Sequence, residues 1–237
     1  HHRSSAASDV YKRQAFKLED NTKPIAKELA LIPISPGALI NASPLPQIFP
    51  LFRDKKGIYH FADTLSVFGE FGFAIKAVDK RQGSSNIYQF NRIELIVDNQ
   101  KEFELEFTKI PFKQGKFAKT IIQYDLKKKN LGEFNKLYKL PEHKKTSIHT
   151  STSTGILGLS PGFHSVEINI YDAQNNKTIV KGIVAGTFPM TLETKEIYRD
   201  QKVVTLALIP KRGGLPIRDA IVYLSLIHIS EPTRHAS

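Results

Sequence analysis

The sequence predicts a mainly β protein organised as an immunoglobulin-like β-sandwich. Apolar and polar residues alternate strictly in its readable runs, and this is the period of a half-buried strand. Polar, turn-forming residues separate these runs, and about seven or eight short strands joined by turns suit a sandwich of immunoglobulin size. The predicted sandwich spans residues 15–188 and carries an inserted basic segment at about 109–146.

Five strands are predicted in the first part of this sandwich. They are residues 27–34, 47–52, 57–61, 65–68 and 72–78. The prolines from Pro33 to Pro50 lie between these runs or at their ends, where a missing backbone N–H costs least.

Two β-hairpins are predicted further along the chain. The first covers residues 88–107, with the polar stretch 98–101 as its turn. The second covers residues 162–185, with its turn at 172–176. The residues predicted to face the core are Ile93, Leu95, Val97, Phe103, Leu105 and Phe107 in the first hairpin, and His164, Val166, Ile168 and Ile170 in the second.

The segment 109–146 breaks the alternation and is interpreted as an insertion carried on the sandwich. Phe117, Ile121 and Tyr124 have helical spacing, and the lysines that follow suit the C-terminal end of a short helix that stops at Gly132. Residues 119–124 fit a strand equally well, so both structures remain open at this stage.

Residues 189–223 are predicted to begin a second β domain that is truncated. Residues 203–209 and 217–223 are apolar runs joined by a Gly- and Pro-containing turn, which indicates an opening hairpin. An isolated hairpin is marginally stable in water, so this part is expected to pack poorly.

Both ends of the chain resemble translated sequencing-library adapter. Ser4–Gln14 reads SSAASDVYKRQ, the translation of a transposase-type adapter, and Leu224–Ile229 reads LSLIHI, the translation of its reverse complement. Residues 1–14 and 224–237 are therefore expected to be non-natural and are excluded from fold reasoning. The native start and end, with any signal peptide, are expected to be missing.

Composition limits the chemistry that the chain can perform. The formal net charge is +11, which suits an anionic partner such as nucleic acid, an acidic glycan or a lipid head-group surface, although a lysine-rich solvated face gives the same balance. The absence of cysteine excludes disulfides, a thiol nucleophile and Cys-ligated metals. No apolar run reaches the roughly 20 residues that span a bilayer.

The basic insertion is the candidate ligand or partner face. Lysines alternate there with aromatic residues, a combination that binds nucleic acid or sugar-containing polymers. The candidate residues are Lys116, Lys119, Tyr124, Lys127, Lys128, Lys129 and Tyr138.

No catalytic, metal or cofactor residue is predicted in this segment. His60 and His164 lie on predicted strands, where a hydrogen-bonded core histidine is commoner than a ligand. Asp172 with Asn175 and Asn176 suits a polar turn better than a calcium loop. A glycosidase fragment that uses paired carboxylates, among Asp79, Asp98, Asp125 and Asp172, is a weaker enzyme alternative.

Several stretches between residues 16 and 188 resemble one family. They are DNTKP (20–24), LALIP (29–33), FGFAIKAVD (71–79), RIELIVD (92–98), IQYD (122–125), FNKLY (134–138) and GFHSVEINIYD (162–172). This pattern is similar to the region that follows the catalytic domain in lysostaphin-like (LytM-type) zinc metallopeptidases of Bacteroidota-like marine bacteria. That family binds zinc through His-x-x-x-Asp and His-x-His, and neither motif occurs here; the nearest approach, His60 to Asp63, is one residue short.

The resemblance implies a non-catalytic accessory region of a cell-envelope peptidoglycan endopeptidase, with zinc only in a missing catalytic domain. It implies an extracytoplasmic location, in the periplasm or cell envelope. The partners it implies are peptidoglycan or another anionic envelope polymer, or the parent's own catalytic domain, and it disfavours nucleic acid. A carbohydrate-binding or adhesin-type β-sandwich of a multidomain bacterial surface protein is the alternative.

Overall fold

The computed structural model describes residues 20–61, 63–80, 86–107, 120–140, 153–188, 190–199 and 204–216. The chain divides into two compact units, His1–Thr187 and Phe188–Ser237. Strands dominate the described part of both units, and α-helix occurs there in one short segment, α1 (Tyr124–Lys128). The fold is therefore mainly β, as the alternation of apolar and polar residues predicts.

Thirteen strands form the described part of the first unit. They are β1 (Ile25–Pro33), β2 (Leu39–Ile40), β3 (Gln47–Arg53), β4 (Tyr59–Phe61), β5 (Leu65–Phe68), β6 (Glu70–Lys80), β7 (Ile87–Tyr88), β8 (Arg92–Val97), β9 (Gln100–Glu106), β10 (Asn135–Lys136), β11 (Leu157–Gly158), β12 (Gly162–Tyr171) and β13 (Lys177–Gly186).

One hydrogen-bonded path, β10-β6-β1-β3-β4-β13-β12-β8-β9, links both sides of this unit. Strand β3 changes partner along its length, because residues 47–50 pair with β1 and residues 51–53 pair with β4. Pro50, which has no backbone N–H to donate, lies at the point of change. The sheet curls at β3 into a sandwich-like arrangement, while the immunoglobulin-like topology stays a prediction.

The main core lies between the two halves of the curled sheet. Fully buried side chains come from both halves: Leu29, Leu31, Phe71, Phe73 and Ile75 on one side, and Ile93, Leu95, Ile168, Ile170 and Val180 on the other. Burial of such side chains is the main favourable contribution to folding.

The structure confirms both predicted hairpins. Strands β8 and β9 pair around Asp98 and Asn99, whose φ angles of 48° and 65° give a two-residue turn rather than a four-residue one. Strands β12 and β13 pair over their whole length, with Val166, Ile168 and Ile170 buried. His164 lies on the same face and is partly buried.

A second, smaller core covers the outer face of β1 and β6. Ala30 and Ala74 on these strands are fully buried beneath Leu126 of α1 and the side chains of Phe134 and Tyr138. The described part of the predicted insertion is therefore packed onto the sheet. Its helix differs from the predicted one: α1 begins at Tyr124, which is exposed, while Ile121 is buried and precedes the helix.

The second unit contains β14 (Met190–Arg199), β15 (Val204–Arg212) and β16 (Leu215–Pro216). Strand β15 pairs on one side with β14, a strand that the sequence analysis did not identify, and on the other side with β16, where the predicted hairpin of 203–209 with 217–223 would begin. Gly213 and Gly214, both at positive φ, then return the chain into β16. Residues 217–223 lie outside the described residues.

Candidate ligand-binding site

The helix α1 and the loop after it are held on the sheet by one apolar contact and one hydrogen bond. Leu126, which is 3% exposed, is its buried residue. Lys76 of β6 reaches the loop after the helix, where its ammonium donates to the carbonyl oxygen of Leu131 at 3.1 Å and to the Glu28 carboxylate at 2.6 Å. Because these contacts begin in the sheet, they fix the position of the segment that carries the predicted ligand face.

A cleft of about 320 Å³ opens beside the start of α1. Its lining residues are Ile32, Pro33 and Ile34 at the end of β1, together with Ile122, Gln123, Tyr124, Asp125, Lys136, Tyr138 and Leu140. The structure thus brings together the two tyrosines that the sequence analysis assigned to the ligand face. Tyr124 is 69% exposed, whereas Tyr138 is almost wholly buried.

Tyr138 forms a fixed wall of this cleft. Its hydroxyl donates to Gln123 Oε1 at 2.8 Å. Burial raises the pKa of Tyr138, and the nearby Asp125 carboxylate raises it further, so the hydroxyl stays a donor at neutral pH. The ring lies over Gly72 of β6, where any Cβ would overlap it. Only glycine at position 72 allows this close approach.

The predicted lysines have different environments. Lys127, Lys128 and Lys129 are exposed around the C-terminal end of α1, where Lys127 forms an ion pair with Glu133. Lys116 and Lys119 lie outside the described residues. Lys136, which was not among the candidate residues, is buried and lines the cleft, and its ammonium lies 5.7 Å from the centre of the Tyr138 ring. It therefore belongs to the cleft wall.

A second polar cluster joins the β8–β9 turn to β12. The carboxylate of Asp98 lies 2.6 Å from His164 Nδ1, and the other ring nitrogen, Nε2, lies 2.9 Å from the carbonyl oxygen of Ser160. The hydrogen bond that His164 donates to the Asp98 carboxylate raises the pKa of His164 and lowers the pKa of Asp98. Asp98 also accepts from the backbone N–H and the hydroxyl of Ser165.

Sequence reasoning missed this cluster, although one motif points to it. Gly158–Gly162 reads Gly-Leu-Ser-Pro-Gly, which fits the Gly-x-Ser-x-Gly pattern of serine hydrolases. The geometry does not fit that activity. His164 bonds to the backbone carbonyl of Ser160, and the residue after the serine is Pro161, which has no N–H for an oxyanion hole.

The carboxylates of Asp20, Asp79 and Asp172 meet at one end of the core. One oxygen from each lies within 4.8 Å of the others, and all three residues are buried. Among the described residues this group could hold a hard cation such as Ca²⁺, which prefers oxygen ligands. Asp172 also closes the predicted turn, because it accepts from the backbone N–H groups of Gln174 and Asn176. Of the four carboxylates considered for a glycosidase pair, Asp79 and Asp172 are buried, whereas Asp98 and Asp125 are exposed.

Comparison of the chain with protein-family models, curated proteins and solved structures finds no match. Within the part of the chain that the structure describes, no helix is both long and apolar enough to cross a membrane.

Proposed function

We propose that the first unit is a non-catalytic accessory β-sandwich of a cell-envelope peptidoglycan endopeptidase and that it positions the hydrolase by binding the wall polymer. The contact is the α1 face, which we define as Tyr124, Lys127, Lys128 and Lys129. The zinc-binding catalytic domain belongs to the parent protein, which is extracytoplasmic. The sequence resemblance motivates this proposal, and the fixed presentation of the α1 face supports it.

One observation carries the binding role. An exposed aromatic side chain and two exposed lysines are held on a helix of only five residues, with a third exposed lysine directly after it, and such a helix would not be stable alone. Leu126 and Lys76 anchor this helix to the sheet, so its face is preorganised for a partner. Lysines in such a patch attract an anionic polymer, and salt screens that attraction.

Retention of the full chain on isolated peptidoglycan tests the proposal. The K128E/K129E variant reverses two charges and leaves the Lys127–Glu133 ion pair intact. Retention should fall several-fold at low salt, and wild-type retention should itself weaken as ionic strength rises above about 0.1 M. The matched control is K55E/K56E, since Lys55 and Lys56 are also adjacent and exposed, in the turn between β3 and β4. Equal retention of both variants and the wild type would contradict the proposal.

The alternative is a carbohydrate-binding or adhesin-type module of a multidomain surface protein, and the tyrosine-lined cleft favours it. The sequence of the uninterrupted gene would distinguish the peptidase accessory region from the surface-protein module. An upstream domain with His-x-x-x-Asp and His-x-His supports the peptidase, whereas a series of β repeats supports the surface protein. The parent's own catalytic domain is a further partner for the α1 face, and adding that domain in the retention experiment would reveal competition.

A further inference from the structure

We infer that the cleft between α1 and the end of β1 is a subsite for one neutral pyranose ring, stacked on Tyr124 and hydrogen-bonded by Asp125 and Gln123. The inference rests on the proposed function, since it names the part of the wall glycan that the module recognises. It concerns a different contact from that of the lysines, which bind the charged part of the polymer.

The charges lining the cleft favour a neutral ligand. One carboxylate, Asp125, and one ammonium, Lys136, are the ionised groups among the lining residues, so their formal charges cancel. A negatively charged phosphate or carboxylate ligand would gain little electrostatic attraction from such a site. A positively charged amine would gain equally little. The cationic character of α1 is confined to Lys127, Lys128 and Lys129, none of which lines the cleft.

The size and surface of the cleft suit a single sugar ring. Its volume of about 320 Å³ is at the lower end of the range for small-molecule sites. The exposed ring of Tyr124 offers a flat apolar face for the C–H groups of a pyranose. Ile32, Ile34 and Leu140 extend the apolar lining.

Polar groups at the same cleft match the hydroxyl groups of a sugar. The Asp125 carboxylate accepts from hydroxyl donors, and its charge strengthens such bonds. The side-chain carbonyl oxygen of Gln123 accepts the hydrogen bond from the Tyr138 hydroxyl. This bond orients the amide, so the NH₂ group is the part of the side chain that can donate to a sugar hydroxyl. Since Tyr138 is locked over Gly72, this orientation exists before any ligand arrives.

Titration calorimetry of the full chain with two neutral probes tests the inference. The probes are the trimer of β-1,4-linked N-acetylglucosamine and maltotriose, each up to about 10 mM, which covers the millimolar affinities of small sites. At least one trimer should bind the wild type, with little dependence on salt. Y124A should weaken binding about tenfold or more, which is the scale of a lost stacking contact. Y124F, which keeps the ring, should bind like the wild type.

The matched control is F163A, because Phe163 is an aromatic residue that is 78% exposed on β12 and does not line the cleft. It should bind the trimer like the wild type. K128E/K129E should also keep the sugar affinity while losing wall retention, so the two proposals can fail separately. Absence of binding to both trimers, equal binding by Y124A, or binding that disappears at high salt would overturn the inference.

Discussion

At the scale of single residues, the hydrogen bonds of His164 favour protonation of its imidazole ring. Both ring nitrogens lie within hydrogen-bond distance of an acceptor, Asp98 on one side and the Ser160 carbonyl on the other. Only the doubly protonated imidazolium donates from both nitrogens. When the ring is protonated, it therefore links the β8–β9 turn to the loop that enters β12 through both nitrogens.

This contact makes stability depend on pH. Because the pKa of His164 is raised in the folded state, its contribution is complete below the unfolded value of about 6.5 and is lost as pH rises through the folded pKa. The lowered pKa of Asp98 acts oppositely: its contribution is present above about 4 and is lost as pH falls through the folded value. The network should be strongest between these limits.

Urea unfolding from about pH 6 to 9 measures the histidine contribution. The wild-type free energy of unfolding should fall across this range, and the H164Q variant should show a flatter profile because it has no proton to lose there. D98N should flatten the profile as well. Parallel profiles for the wild type and H164Q would show that His164 does not stabilise the fold through its charge.

At the scale of elements, α1 depends on one buried side chain. Leu126 contacts the small residues of β1 and β6, whereas Leu131, three residues after the helix, is 43% exposed. A helix of five residues has too few internal hydrogen bonds to persist without such packing.

The L126A variant should lower the free energy of unfolding by about 2–5 kcal/mol, the range for truncating a buried leucine. L131A, which removes the same atoms from an exposed position, should change it by less than about 0.5 kcal/mol. Chemical denaturation of both variants checks this difference, and equal losses would mean that α1 is not anchored by Leu126.

An element can be predicted from the sequence when one of its faces is buried and the other is solvated. The two hairpins were predictable because each has one buried and one solvated face, so the period of two is visible in the sequence. Strands β1 and β6 are buried on both faces under two cores, so their period of two is not visible; they were still predicted as strands, at 27–34 and 72–78, with shifted ends. Helix α1 is shorter than the window in which helical periodicity can be measured. Asp20, Asp79 and Asp172 meet only through the fold, since they are far apart in sequence.

At the scale of the whole molecule, the two units differ in burial. The first has two buried cores, whereas none of the described side chains from Phe188 to Pro216 is buried. Apolar residues such as Ile197, Tyr198 and Leu215 are exposed in the second unit. Exposed apolar surface on a small sheet favours aggregation.

A chain that ends at Phe188 should therefore give more soluble protein than one that continues to Tyr223. Expressing the two in parallel and comparing soluble fractions by size-exclusion chromatography measures the effect. The ratio of monomer to aggregate should rise on truncation. Equal yields and equal monomer fractions would show that the second unit causes no aggregation.

The change of partner within β3 affects how the first unit can open. Residues 47–50 of β3 bond to β1, and residues 51–53 bond to β4. The part of the sheet that contains β1 therefore cannot separate from the part that contains β4 unless backbone hydrogen bonds of β3 break. Local detachment of one layer is thereby disfavoured. Amide protons of β1 and β13, on opposite sides of β3, should exchange with deuterium through the same global opening and with similar protection.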